Sequence, residues 1–161
     1  MKNKSLYVSH AALIAALYAV LTLLSYFFGL DKAIFQIRLS EILTVLPAFS
    51  PAAVPGLFVG CILAGFITNA LPLDIVFGSI ATLIGAYGSY ALGKKNKYLA
   101  TLPPVIANAA VVPFIIKFVY KLEGTLPFFF FTVSVSEFIT AGIFGAFLIR
   151  LLIKNNFSPK A

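Results

Sequence analysis

Charge is scarce in this sequence. Only 11% of the 161 residues are charged, whereas a soluble globular chain carries about a quarter. Apolar residues make up 61% of the chain and the mean hydropathy is +1.02. A soluble fold of this size would expose much of that apolar surface to water, whereas lipid tails can cover it. We therefore expect an integral membrane protein with no separate soluble domain.

The residues of common catalytic and metal sites are almost absent. The chain has one cysteine, Cys61, and one histidine, His10, so an intrachain disulfide and a Cys/His metal cluster are both excluded. It contains no HExxH motif and no GxxxxGK[ST] phosphate loop. A single histidine at the edge of the first span does not support a serine–histidine–acid set. We therefore expect no enzyme, no metal and no cofactor, with Cys61 in core packing and His10 at the interface.

Long apolar runs predict an all-α membrane protein with six transmembrane helices, in one domain over residues 1–161. The runs do not alternate apolar and polar residues as the strands of a membrane barrel do, and a spanning helix takes roughly 20 residues. The first run is too long for a signal peptide and has no clear cleavage site, so we expect it to be retained. The second span is short because Pro47, Pro51 and Pro55 interrupt the chain. The predicted spans are 6–29, 39–49, 52–71, 74–92, 99–120 and 126–153.

The distribution of lysine and arginine predicts that both termini are cytoplasmic. With six spans, the larger basic set falls on the side of the termini and includes a compact cluster in one loop. Without the short second span, the two ends would lie on opposite sides. The cytoplasmic set is Lys2, Lys4, Lys94, Lys95, Lys97, Arg150, Lys154 and Lys160. The outer set is Lys32, Arg38, Lys117 and Lys121, with Lys32 in the polar segment Asp31–Lys32.

Several polar residues lie within or beside the spans, where a charge costs at least about 2.5–3.5 kcal/mol. Such residues normally face the bundle interior or a pathway, so we take them as candidate substrate-binding residues. Asp74 has an alternative role as a helix N-cap, and Arg38 and Glu41 have an alternative as an ion pair on one helix face. Glu137 has no basic residue within a turn, which favours ligand binding or proton handling. The candidates are Gln36, Arg38, Glu41, Asn69, Asp74, Asn108 and Glu137.

Small residues form rows at four-residue spacing in the first span. Ala11, Ala15 and Ala19 share one helix face, with Ala12 and Ala16 beside them. Such smooth strips allow close contact between membrane helices. The pattern leaves two roles open, namely internal packing and docking of another membrane subunit. The third span repeats the pattern, with internal packing as its expected role: Gly56, Gly60 and Ala64.

Four stretches together carry a family resemblance: residues 11–19, 36–47, 51–61 and 74–79. With them, and with Pro103-Pro104 before Asn108 and Ser136 before Glu137, the chain resembles the substrate-binding S components of energy-coupling factor (ECF) transporters. The resemblance is specifically to the queuosine-precursor (QueT) family and covers nearly the whole chain.

This resemblance implies an S-component-like bundle of six helices in a prokaryotic plasma membrane, with the ligand captured from outside. It implies a transmembrane T component that docks on Ala11, Ala15 and Ala19, and two cytoplasmic ATPases, which would explain the missing phosphate loop. The implied ligand is a 7-deazaguanine such as preQ1 (the aminomethyl form), preQ0 (the cyano form) or queuine.

A guanine-like edge presents N–H donors that suit a carboxylate and a carbonyl that suits an amide or a guanidinium. Glu137 or Glu41 are expected at the donor edge, and Gln36, Arg38 or Asn108 at the carbonyl. An aminomethyl cation would favour a second carboxylate. The alternative function is a stand-alone or proton-coupled transporter with Glu137 as its proton site. A membrane-embedded enzyme or a helper protein is disfavoured by the missing catalytic set.

Overall fold

The computed structural model describes residues 2–30 and 36–157, and all regular secondary structure within these ranges is helical. The predicted polar segment Asp31–Lys32, and Lys160 of the basic set, lie outside the described residues. The prediction of an all-α protein is confirmed for the described part of the chain.

In the part of the chain that the structure describes, six α-helices are joined by other helical segments. A 3₁₀-helix, Leu39–Ala48, lies between the first two. A 3₁₀ turn, Lys97–Thr101, precedes the fourth helix, and π-helical turns follow the fourth and fifth helices at Ile115–Val119 and Phe138–Phe144. The α-helices are α1 (Lys2–Phe27), α2 (Ala53–Ile67), α3 (Pro72–Gly93), α4 (Leu102–Phe114), α5 (Leu126–Glu137) and α6 (Gly145–Lys154).

In the described residues, four helical segments are long and apolar enough to cross a membrane: Lys4–Phe27, Pro72–Gly93, Lys97–Val119 and Leu126–Lys154. The 3₁₀-helix and α2 are apolar but shorter. Each of the six predicted spans overlaps one helical segment. The exact number of crossings and the cytoplasmic position of both termini stay predictions.

Large apolar side chains cover the outside of the bundle. Ile106 is 65% exposed and Phe131 is 64% exposed, on two different long segments. Exposed apolar surface on this scale is unusual for a soluble monomer, and it suits helices that face lipid. A multi-pass membrane protein accounts for this surface.

The 3₁₀-helix corresponds to the short second span and is anchored to α1. The backbone N–H of Leu39 donates to Ser25 Oγ at 2.8 Å, and Thr22 Oγ1 donates to Ser40 Oγ at 2.9 Å. At a rise of about 2.0 Å per residue, ten residues reach roughly 20 Å, less than the roughly 30 Å of a hydrocarbon core. Runs of 3₁₀-helix beyond three or four residues are uncommon. This long one contains Glu41 and begins directly after Arg38, two of the predicted site residues.

Helices α1 and α2 meet through small residues at close range. A Cβ added at Gly56 would lie 2.7 Å from the carbonyl oxygen of Ala11, and one at Gly60 would lie 2.8 Å from that of Ala15. Ala15 and Ala19 are consequently buried, at 5% and 6% exposure. Ala15 and Ala19, two residues of the predicted docking row, therefore pack against α2 inside the protein.

The neighbouring alanine row on α1 has the opposite environment. Ala12 and Ala16 are exposed, whereas Ala11 is half-buried. The exposed alanines among the described residues of α1 are therefore Ala12 and Ala16.

Candidate functional site

A cavity of about 390 Å³ lies among α1, α2, the start of α3 and the chain after Ile115–Val119. This volume falls within the range of about 300–1,000 Å³ that is usual for small-molecule sites. Polar groups line much of it, although the surrounding helices are strongly apolar. A polar chamber inside an apolar bundle is the arrangement expected of a binding site for a polar molecule.

One face of α1 supplies polar side chains to the cavity. Tyr18, Thr22 and Tyr26 follow one another at four-residue spacing, and all three line the cavity. Sequence reasoning missed these residues because tyrosine and threonine are far less unusual in a membrane span than charged or amide side chains. The signal was nevertheless present, since residues i, i+4 and i+8 share one helix face and the span around them is apolar.

Arg38, Asp74 and Tyr120 form the charged part of the lining. The hydroxyl of Tyr120 donates to Asp74 Oδ2 at 2.6 Å, and Arg38 Nη2 lies 4.0 Å from the same oxygen. Asp74 is buried, with 8% of its surface exposed. The cavity thus contains a carboxylate that is held by a phenol and a guanidinium from two other segments.

Two alternative roles from the sequence are wrong in this arrangement. Asp74 is not a helix N-cap, because α3 begins at Pro72 with Leu71 in the capping position. Arg38 pairs with Asp74 and not with Glu41, because it lies in extended backbone before the 3₁₀-helix, whereas Glu41 lies within it.

Tyr120 directly follows the Lys97–Val119 segment and is a hydrogen-bond donor at neutral pH. Partial burial, followed by the hydrogen bond to Asp74 and the negative charge of that residue, raises the pKa of Tyr120 to about 12. The phenol therefore keeps its proton, and its bond to Asp74, throughout the physiological range.

Two of the predicted site residues on the cavity have left-handed backbone. Gln36 has φ +39° and Asn69 has φ +52°, and both line the cavity. Asparagine adopts this conformation readily, while glutamine adopts it rarely. Residues in such conformations often occur at ligand sites, where the surrounding structure holds them.

Glu41, Asn108 and Glu137 form a second polar group behind the cavity lining. Glu41, only 1% exposed, accepts hydrogen bonds from the Tyr18 hydroxyl at 2.6 Å and from Asn108 Nδ2 at 3.1 Å. Glu137 is 6% exposed, and its Oε2 has no hydrogen-bond partner among the described residues. Tyr18 connects the two groups, because it lines the cavity and also donates to Glu41.

A narrow space of about 10 Å³ adjoins this second group. Gln36 and Arg38 line both this space and the large cavity, so the two spaces meet at these side chains. The predicted residues thus fall into two sets. Gln36, Arg38, Asn69 and Asp74 lie on the large cavity, and Glu41, Asn108 and Glu137 lie behind it.

The donors and acceptors of the cavity suit a planar polar molecule. Asp74 can accept hydrogen bonds, while Arg38, Gln36 and Asn69 can donate them. The tyrosine rings offer flat surfaces for stacking. Within residues 2–30 and 36–157, no cluster of three or more His, Cys, Asp or Glu side chains could hold a metal ion.

The sequence model of the QueT transporter family matches residues 8–154, which include the cavity residues, the buried acid group and the close contact of α1 with α2. No curated protein and no solved structure matches the chain. Since the match covers nearly the whole sequence, the chain belongs to the QueT transporter family, a family of membrane transporters.

Proposed function

We propose that this protein is the substrate-binding S component of an ATP-driven ECF importer in a prokaryotic plasma membrane. It captures a queuosine precursor, a 7-deazaguanine such as preQ1, preQ0 or queuine, from outside the cell and delivers it inward. The observation that carries this proposal is the polar cavity of about 390 Å³ inside an apolar bundle whose sequence belongs to the QueT transporter family.

The cavity chemistry suits a guanine-like edge. The ring N–H and exocyclic amine of the ligand would donate to Asp74, which is the carboxylate on the cavity lining. The ligand carbonyl would accept from Arg38, Gln36 or Asn69. This assignment differs from the expectation based on the sequence. The residue that accepts from the donor edge of the ligand is Asp74, whereas Glu41 and Glu137 lie behind the lining.

Titration of the purified protein tests the ligand. We expect saturable binding of preQ1 or preQ0, measured by calorimetry or by ligand-induced fluorescence change, and no binding of riboflavin, thiamine or biotin. Absence of binding to every 7-deazaguanine by folded protein would contradict the proposed substrate.

The proposed partners are a transmembrane T component and two cytoplasmic ATPases. The exposed alanine row of α1, Ala12 and Ala16, is the part of the small-residue surface that remains open to a membrane partner. Ala15 and Ala19 would support this contact indirectly, by keeping α1 close to α2. Ala11, which is half-buried, lies between the two rows.

Co-purification tests the docking surface. Ala16→Trp places a large side chain on the open row, so we expect it to abolish recovery of the T component and ATPases with the tagged protein. Ile84→Trp is the matched control, because Ile84 is 58% exposed on α3, away from α1. Equal recovery with wild type and with Ala16→Trp would remove this surface from the proposal.

A second candidate function is a stand-alone or proton-coupled transporter. The observation that favours it is Glu137, a buried carboxylate with an oxygen that no described residue satisfies, near a second acid, Glu41. Uptake of labelled preQ1 in cells that lack ECF ATPases separates the two functions. An S component requires the ATPases for uptake, whereas persistent uptake without them would favour the stand-alone carrier.

A further inference from the structure

Glu137 contains an acceptor that no described residue satisfies. The residue is 94% buried, since its exposure is 6%, and its Oε2 makes no hydrogen bond within the described residues. Leaving a buried polar group unpaired is costly, and more so when the group is charged. Such a group in a native protein is normally satisfied by a water, an ion or a ligand group.

The space beside this oxygen is of a definite size. It measures about 10 Å³, which is close to the smallest volume that holds one water-sized group. Val112 and Val133 form its apolar walls, and Gln36, Arg38 and Asn108 complete the lining with Glu137. A single nitrogen or oxygen atom fits there, whereas a ring does not.

The charges around the two spaces point to a cation. Asp74 lies beside Arg38 and accepts a hydrogen bond from Tyr120, and Glu41, behind the lining, accepts from Tyr18 and Asn108. Of the described residues that line either space, Arg38 is the one basic side chain, against two buried acids, Asp74 and Glu137. Of the three buried acids, Glu137 is the one with an oxygen that no described residue satisfies.

We propose that Glu137 forms an inner subsite that binds a primary ammonium group of the ligand, while the ligand ring occupies the large cavity. An ammonium nitrogen is a single heavy atom with three donors and a positive charge, which matches the small space and the carboxylate oxygen that no described residue satisfies. Gln36 and Arg38 lie where the two spaces meet, so the amine-bearing substituent passes these side chains. This inference rests on the proposed function, and it distinguishes amine-bearing from amine-free ligands of the same ring.

A matched pair of ligands tests the subsite. PreQ1 carries an aminomethyl group where preQ0 carries a nitrile, so the two share the ring and differ in the ammonium. We expect wild-type protein to bind preQ1 at least about tenfold more tightly than preQ0, because a charge-assisted hydrogen bond raises the affinity by about that factor. Glu137→Gln should weaken preQ1 by about the same factor and leave preQ0 unchanged.

The control variant is Glu123→Gln, the same chemical change at an exposed position, and it should keep the wild-type preference. Equal binding of the two ligands by wild type would overturn the subsite, since a water or a proton at Glu137 would then satisfy the carboxylate without the ligand. An equal loss of both ligands in a folded Glu137→Gln protein would also overturn it. Failure of wild type to bind either ligand would instead contradict the proposed function itself. If Glu137→Gln does not fold, the wild-type preference alone decides.

Discussion

At the scale of single residues, Asp74 is the centre of the cavity chemistry. It is the acid on the lining, and one of its oxygens is shared by Tyr120 and Arg38. A ligand that donates to Asp74 therefore joins an existing polar network. Networks of this kind hold their members in defined positions and reduce the ordering that ligand binding requires.

Asp74→Asn should weaken the binding of 7-deazaguanines by about tenfold or more, because a hydrogen bond to a charged acceptor becomes one to a neutral amide. The measurement is the dissociation constant from titration of purified protein. Ser79→Ala is the matched control. Ser79 is buried on the same helix, but its hydroxyl donates to the backbone carbonyl oxygen of Val76. Unchanged affinity in Asp74→Asn would remove Asp74 from the site.

Tyr18→Phe should lower stability, because it removes the donor to Glu41 Oε1 and leaves that buried oxygen unpaired. The expected loss is about 1–3 kcal/mol, measured as a lower midpoint in thermal unfolding of detergent-solubilised protein. Tyr98→Phe, at a position 46% exposed, should leave the midpoint unchanged. The same midpoint in Tyr18→Phe and wild type would mean that Glu41 does not depend on this bond.

Residue chemistry in the sequence selected polar residues that the structure places on the cavity or behind it, and their role in binding stays a prediction. Intramembrane charge pointed to Arg38, Glu41, Asp74 and Glu137 because burying a charge in lipid is costly. It did not show which of these acids line the cavity, since that depends on long-range packing. The pairing of Arg38 with Asp74 across 36 residues of chain is equally invisible to local spacing.

At the scale of elements, the 3₁₀-helix and the α1–α2 contact position the site. The 3₁₀-helix carries Glu41 and is tied to α1 through Ser25 and Thr22. The close approach of α1 to α2 brings Tyr18 on α1 and Cys61 on α2 to the same cavity. A change in this contact should therefore disturb both stability and the cavity.

Gly60→Ala should destabilise the protein by about 1–3 kcal/mol, the usual cost of overpacking. The new Cβ would lie 2.8 Å from the carbonyl oxygen of Ala15 and 2.9 Å from Tyr18 Cβ, so α1 must shift. In Gly142→Ala the nearest atom is 3.4 Å away, and thermal unfolding should show no loss. Equal midpoints for the two variants would contradict the close α1–α2 contact.

Element types were predictable only in part from the sequence. The prolines after Leu46 correctly predicted a short second helical segment, because an interior proline breaks an α-helix. They did not reveal a 3₁₀-helix, nor the π-helical turn that directly follows Glu137. These backbone forms depend on how neighbouring helices pack, and no side-chain periodicity in this sequence marks them.

At the scale of the whole molecule, an apolar bundle surrounds one polar chamber. The apolar outer surface accounts for the membrane character, and the family match over residues 8–154 accounts for transport. Composition alone predicted the membrane character, since 61% apolar residues leave too little polar surface for a soluble fold. The chamber itself was not predictable, because its lining comes from segments far apart in the chain.

The most direct test of the account is ligand binding to a protein whose cavity has been filled. Thr68→Trp places an indole on the cavity lining, whereas Ile84→Trp places the same group on the exposed surface of α3. Equilibrium titration with preQ1 should show binding to wild type and to Ile84→Trp, and a loss of at least about a hundredfold in Thr68→Trp, since the ring cannot enter a filled pocket. Wild-type affinity in a folded Thr68→Trp protein would contradict the assignment of this cavity as the substrate site.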